Sequence, residues 1–172
     1  MSAKTTLAAV LMLGVALAGC TQKAKTSQLP PDPGLTDQQE GGPGSGLGGV
    51  AVPGSQADFV ASIASDTIYF DTDRFNIDSS DIATLQSQAQ WLARYPGKGI
   101  RIEGHADERG TRDYNLALGE RRANAAKNYL AGIGVSPARI TTVSYGKERP
   151  VALGSDEASW ARNRRAVTIT VQ

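Results

Sequence analysis

The chain of 172 residues has one cysteine, Cys20, so no disulfide can close within it. It has one histidine, His105. With no His-Glu-x-x-His pair, no second histidine ligand and no serine or cysteine nucleophile beside a base, catalysis is not expected, and neither is a cofactor or a metal. Aromatic residues make up 6% of the chain and the formal net charge is +1. A nucleic-acid partner is therefore not expected: there is no basic excess to release counterions and no aromatic platform for bases. The longest apolar run, Leu7 to Ala18, is too short for a stable membrane span.

What is present centres on residues 103–124. At about 100° per residue from Asn115 onward, Leu116, Leu118, Ala123, Ala126, Tyr129 and Leu130 share one arc, and Asn115 and Arg122 fall inside it. Glu120, Arg121, Asn124, Lys127 and Asn128 lie opposite. Arg121 is thus a solvated charge, whereas Arg122 points at the core. A guanidinium does not lose its proton, so a half-buried one needs an anion from the protein or from a ligand. The nearest candidate is Asp107, in the Gly-rich loop before the helix. Because Ile100 to Gly104 alternates like a strand, Asp107 is expected just past a strand's carboxyl end, where ligand crevices of α/β sheets open. Asp107 and Arg122 then either pair with each other or grip a ligand together.

The remaining pattern is one small domain. Thr67 to Phe70 reads as a strand. Asp81 to Tyr95 reads as a helix with Ile82, Leu85, Ala89 and Leu92 on one stripe, stopped by Pro96-Gly97. A strand at Ile100, the helix to Leu130, a turn with Gly132, Gly134 and Pro137, a strand from Ile140 to Tyr145, a short helix near Asp156 to Arg162 and a strand from Ala166 to Val171 complete it. This alternation predicts an α/β (α+β sandwich) fold, βαβ units with helices packed on a mixed four-stranded sheet. Arg162-Asn-Arg-Arg165 is the only basic patch of note, with Arg165 facing either a pocket or the sheet.

Gly104-His-Ala-Asp-Glu-Arg-Gly110, Tyr114-Asn-Leu-Ala-Leu-Gly-Glu-Arg-Arg-Ala-Asn124, Ser144-Tyr-Gly-Lys-Glu-Arg-Pro150 and Asn163-Arg-Arg165 together resemble the OmpA C-terminal-like family over roughly residues 58–172. Ala106 departs from the family's usual threonine. The resemblance implies that Asp107 and Arg122 hold diaminopimelate of the peptidoglycan stem peptide. The free end of that residue carries an ammonium and a carboxylate on one carbon, which one carboxylate and one guanidinium can grip as a zwitterion. Asn115, two helical turns before Arg122, is expected beside them, and Asp73 as a wall of the same pocket. Asp71, Thr111 and His105 are secondary members, His105 hydrogen-bonding the loop from within the crevice. The resemblance further implies docking with a TolB-like periplasmic propeller protein of the Tol envelope system. The rival reading is a metal-dependent cell-wall hydrolase built from Asp71, Asp73, Glu103, His105 and Asp107.

Residues 1–19 read as a secretion signal, with Lys4 before the apolar run. Leu17-Ala-Gly-Cys20 resembles the bacterial lipobox, in which the cysteine is acylated and becomes the first residue. Each buried methylene contributes about 0.8 kcal/mol, so the three chains that pathway implies hold a protein to lipid essentially permanently. Thr21, rather than aspartate, favours the outer membrane. Residues 20–57 are rich in Gly, Pro, Ser and Gln and too poor in apolar residues to fold. As a coil they average about 30 to 35 Å end to end, a tether for the domain at 58–172.

Overall fold

The computed structural model describes residues 51–171. The expected signal peptide, Cys20 and residues 21–50 of the tether lie outside them. In chain order the described elements are α1 (Gln56–Ser62), β1 (Thr67–Tyr69), α2 (Ser79–Arg94), β2 (Gly99–His105), α3 (Arg112–Gly132), a 3-10 turn (Pro137–Arg139), β3 (Ile140–Gly146), α4 (Glu157–Asn163) and β4 (Arg165–Val171). The sheet order is β1-β4-β2-β3, with β2 and β3 parallel and β4 antiparallel to both of its neighbours. The mixed four-stranded sheet is as expected.

The last strand enters between the first two, and this sets the position of the site. Tyr69 pairs with Arg165, Gly104 with both Ala166 and Ser144, and His105 with Gly146. The carboxyl ends of β1, β2 and β3 therefore meet the amino end of β4 at one rim. Three loops leave from that rim, including those that carry Asp73 and Asp107.

One face of the sheet supplies the core. Ile100 and Ile102 of β2 are fully buried with Leu85, Trp91 and Leu92 of α2 and Ala123, Ala126 and Leu130 of α3. Burying such aliphatic and aromatic side chains stabilises the fold by about 1.5 to 3 kcal/mol each. On α2 the expected stripe is displaced: Ile82 and Ala89 are half-buried, while Gln88 and Trp91 are fully buried. Gln88 can be inside because its amide donates to Ser65 O at 2.9 Å and accepts from Thr168 Oγ1 at 2.9 Å. Trp91 donates to Asp58 Oδ2 at 3.0 Å and meets Phe59 edge-on, with ring centroids 4.9 Å apart. That contact accounts for α1, an element not expected from the sequence. Ser55 caps it, so the helix starts two residues ahead of the expected boundary at 58.

Helix α3 lies on β2 through glycine against glycine. A Cβ on Gly104 would run into the carbonyl of Gly119, and one on Gly119 into Ser144 Oγ. The absence of side chains lets the helix come down to the strand and fixes the depth at which Arg122 enters the rim.

Candidate functional site

Asp107 lies just beyond the end of β2, as the alternation predicts, and is 7% exposed. Its partners are Arg109 and Arg164. Arg109 donates to it from the backbone N at 3.1 Å, from Nε at 3.1 Å and from Nη2 at 2.6 Å. Arg164 approaches with Nη1 at 3.5 Å. Burial by itself would raise the Asp107 carboxyl, but the hydrogen bonds and charge of Arg109, with Arg164 behind, hold it below the ordinary carboxylate value. It is a carboxylate with its charge secured.

Arg122 is fully buried and Arg121 is exposed, so the two arginines differ as the helix arc requires. Of the two alternatives the sequence leaves open, the ion pair between Arg122 and Asp107 does not form. Arg122 donates from Nε to Arg74 O at 2.9 Å, from Nη1 to His105 O at 2.7 Å and from Nη2 to Asp71 O at 3.0 Å. Carbonyl dipoles replace the anion, and one guanidinium clamps the loop after β1 to the end of β2. Burial chiefly, then the charge of Arg164, push Arg122 down to about 10, which leaves it charged at neutral pH. Asp107 and Asp73 are close enough to pull the other way.

Above these groups a cleft of about 260 Å³ is lined by Thr72, Asp73, Asp107, Arg109, Gly110 and Tyr114. Asp73 adopts φ 55°, a left-handed conformation that aspartate tolerates, and its Oδ1 accepts from the Tyr114 hydroxyl at 3.2 Å. Arg109 crosses the cleft as a strap. Its guanidinium lies 4.2 Å from the Trp160 ring centre and donates to Thr72 Oγ1 at 3.3 Å while it covers Asp107.

Of the expected residues, Asp73 and Asp107 thus line one cleft, and Asn115 and Arg122 lie beneath it. Asn115 is 2% exposed, and its amide donates to Arg109 O at 2.7 Å and Thr111 O at 3.1 Å, which shapes the cleft from below. Thr111 is the N-cap of α3, its hydroxyl accepting from Tyr114 N at 3.3 Å. Asp71 contributes its carbonyl to Arg122, while the residue lines a neighbouring groove of about 480 Å³ with Asp78, Asp81 and Arg162.

A family model described as the OmpA family matches residues 69–164. The peptidoglycan-associated lipoprotein of Rhizobium meliloti is 53% identical over 160 residues, which cover 92% of this chain and 84% of that protein. That of Pseudomonas aeruginosa is 46% identical over 159 residues, 91% of this chain and 92% of its own. The crystal structure of the peptidoglycan-associated lipoprotein from Burkholderia pseudomallei superposes with a TM-score of 0.61 at 49% identity, covering 63% of this chain and 92% of that one. The chain belongs to the OmpA family.

Within this OmpA-family domain, His105 departs from the expectation that it hydrogen-bonds the loop. Its ring makes no hydrogen bond to the loop: it is 2% exposed and both ring nitrogens lack a partner. As a β2 residue at odd position it lies on the sheet face away from the helices. Burial, then Arg165 and Arg149, lower its pKa to about 4, so the ring is neutral. Only its carbonyl serves the site, by accepting from Arg122.

Arg109, Arg164, Thr72 and Tyr114 are the residues not singled out beforehand. Arg164 donates to Phe70 O at 2.9 Å and to Glu157 Oε1 at 2.7 Å besides meeting Asp107. The signal was the basic patch at 162–165, of which the arginine beside Arg165 faces the site.

Proposed function

We propose that this OmpA-family domain binds peptidoglycan non-covalently, without catalysis, through the free end of diaminopimelate in the cleft of Asp73, Asp107, Arg109 and Tyr114. The observation that carries the reading is Asp107, a carboxylate on the floor of an open cleft whose covering cation, Arg109, is 39% exposed at its side chain. An entering ammonium displaces Arg109 from Asp107, and the ligand carboxylate meets the guanidinium so released. Asp73 adds negative charge on the ammonium side. Arg122 and Asn115 act beneath, holding the walls, and the Arg122 charge adds a favourable field for the carboxylate. With Cys20 acylated, the molecule would tie the outer membrane to the wall from the periplasmic side, with a Tol-type propeller protein as a second partner. The relatives' name, peptidoglycan-associated lipoprotein, supports both halves of this reading.

Hydrogen bonds to charged groups contribute about 1.5 to 3 kcal/mol each, so the two ends give roughly 3 to 6 kcal/mol together. Such a site is weak, on the order of millimolar to tens of micromolar. Weak binding suffices when many tethered copies face a polymer with many copies of the ligand. Calorimetry of the full chain with diaminopimelate-type and lysine-type wall fragments tests the grip, because lysine keeps the ammonium and lacks the carboxylate. Affinity is expected to fall at least tenfold for the lysine type and to vanish for Asp107→Asn with either. Equal affinity for the two fragments would remove the zwitterion reading.

A further inference from the structure

Three arginines are buried among the described residues, and two of them have their charge answered. Arg122 has three carbonyls, and Arg164 has Asp107, Glu157 and a carbonyl. Arg165 does not. It is 6% exposed, and its guanidinium donates only to two carbonyls at the long end of the range, Asn163 O at 3.4 Å and Arg149 O at 3.2 Å. A buried guanidinium with neither an ion pair nor short hydrogen bonds is costly.

Its surroundings repeat the deficit. Arg149 places its guanidinium 3.7 Å from the centre of the Tyr145 ring and makes no ion pair among the described residues. His105 stacks on the same ring with centroids 5.6 Å apart. A neutral imidazole carries one N–H, and here it has no acceptor. The acid on this face, Glu103, lies close enough to pull on Arg165 but is itself ion-paired with Arg101 at 2.9 Å. Two positive charges and an idle N–H donor therefore converge where no carboxylate is free.

We propose that Arg149, Arg165 and His105 form a second binding site, on the sheet face away from the helices, for one oxyanion group, a carboxylate or a phosphate. Arg165 offers its fork from within the sheet, Arg149 closes from the rim with Tyr145 as its support, and the imidazole N–H gives a further donor. Burial chiefly keeps the imidazole neutral, and the two guanidinium charges that add to this are the charges an oxyanion would offset. The site lies across the end of β2 from the Asp107 cleft, and it does not depend on what that cleft binds.

His105 is the only histidine, so its imidazole resonances report on this site alone. The full chain is titrated at pH 7 and constant ionic strength with inorganic phosphate and, separately, with propionate as a side-chain carboxylate. A saturable shift of the imidazole signals is expected with a dissociation constant on the order of millimolar. Saturation by phosphate alone assigns a phosphoryl group, by propionate alone a carboxylate. Arg149→Gln and Arg165→Gln should each weaken the response at least tenfold, and Arg121→Gln should leave it unchanged. If Arg165→Gln fails to fold, the exposed Arg149 decides. No saturable shift with either anion, or an undiminished one in Arg149→Gln, overturns the proposal.

Discussion

Replacing Arg122 by alanine removes a clamp whose parts can be counted. Three donated hydrogen bonds go, to Asp71 O, Arg74 O and His105 O, each from a charged donor. At about 1.5 to 3 kcal/mol apiece the gross loss is roughly 5 to 9 kcal/mol. Two offsets apply. The variant no longer desolvates a charge, and the carbonyls of the exposed loop residues Asp71 and Arg74 can turn to water, whereas that of buried His105 cannot. The net cost is therefore about 3 to 5 kcal/mol, a large share of the roughly 5 to 15 kcal/mol that holds a domain of this size. With a urea slope of about 2 kcal/mol per molar, the unfolding midpoint should drop by about 2 M. The fluorescence of fully buried Trp91 follows that transition. Arg121→Ala should move the midpoint by less than about 0.5 kcal/mol in equivalent stability. Freed from its clamp, the loop no longer presents Asp73, so wall binding by Arg122→Ala should also fall under conditions where the variant is folded. A variant as stable as the parent but unable to bind would show that the guanidinium reads the ligand rather than holding the loop.

Gly104→Ala would drive a methyl group into the carbonyl of Gly119 and lift α3 from β2, at a cost of roughly 3 kcal/mol or more, visible in thermal unfolding; a melting temperature equal to the parent's would contradict the close approach. Asp107 has a folded-state pKa below its unfolded one, so its contribution is present above the ordinary carboxylate value and is lost as pH falls through the lower, folded value. Urea midpoints should thus decline below about pH 4 in the parent, and less steeply in Asp107→Asn. Parallel pH profiles for the two would mean that Arg109 and Arg164 do not stabilise the carboxylate.

Periodicity carried the main elements because each has a single strong reason: β2 and β4 alternate, and α3 has a wide apolar arc ended by Gly132 and Gly134. It carried less where burial depends on a distant partner. Gln88 reads as a surface residue until Ser65 and Thr168 are known to satisfy its amide. Helix α1 has one buried residue, Phe59, too little for a pattern, and it exists because Trp91 offers that ring an edge. His105 reads as a site residue by adjacency to Asp107, but side chains alternate along a strand, and the ring falls on the far face.

The pairing of charges was the least legible part. That Arg122 is buried follows from helical angle alone, and that a buried guanidinium must be answered follows from its fixed charge. Neither says by what. The sequence offers carboxylates as visible candidates, whereas the carbonyls that answer Arg122 belong to every residue and acquire their direction only from the loop's path through Asp73 at positive φ. Asp107 was consequently left for two other arginines. Arg109 comes from its own loop and Arg164 from the end of α4, 57 residues away. The division has a consequence for binding. Arg122 and Arg164 are buried and fix the rim from two sides, so the strap from Arg109 is the part of the Asp107 shell that a ligand can displace without exposing a buried charge. A cleft built this way keeps its carboxylate anionic and preorganised at the cost of one exposed side chain's rearrangement, which suits a weak contact that must form and break many times along a polymer.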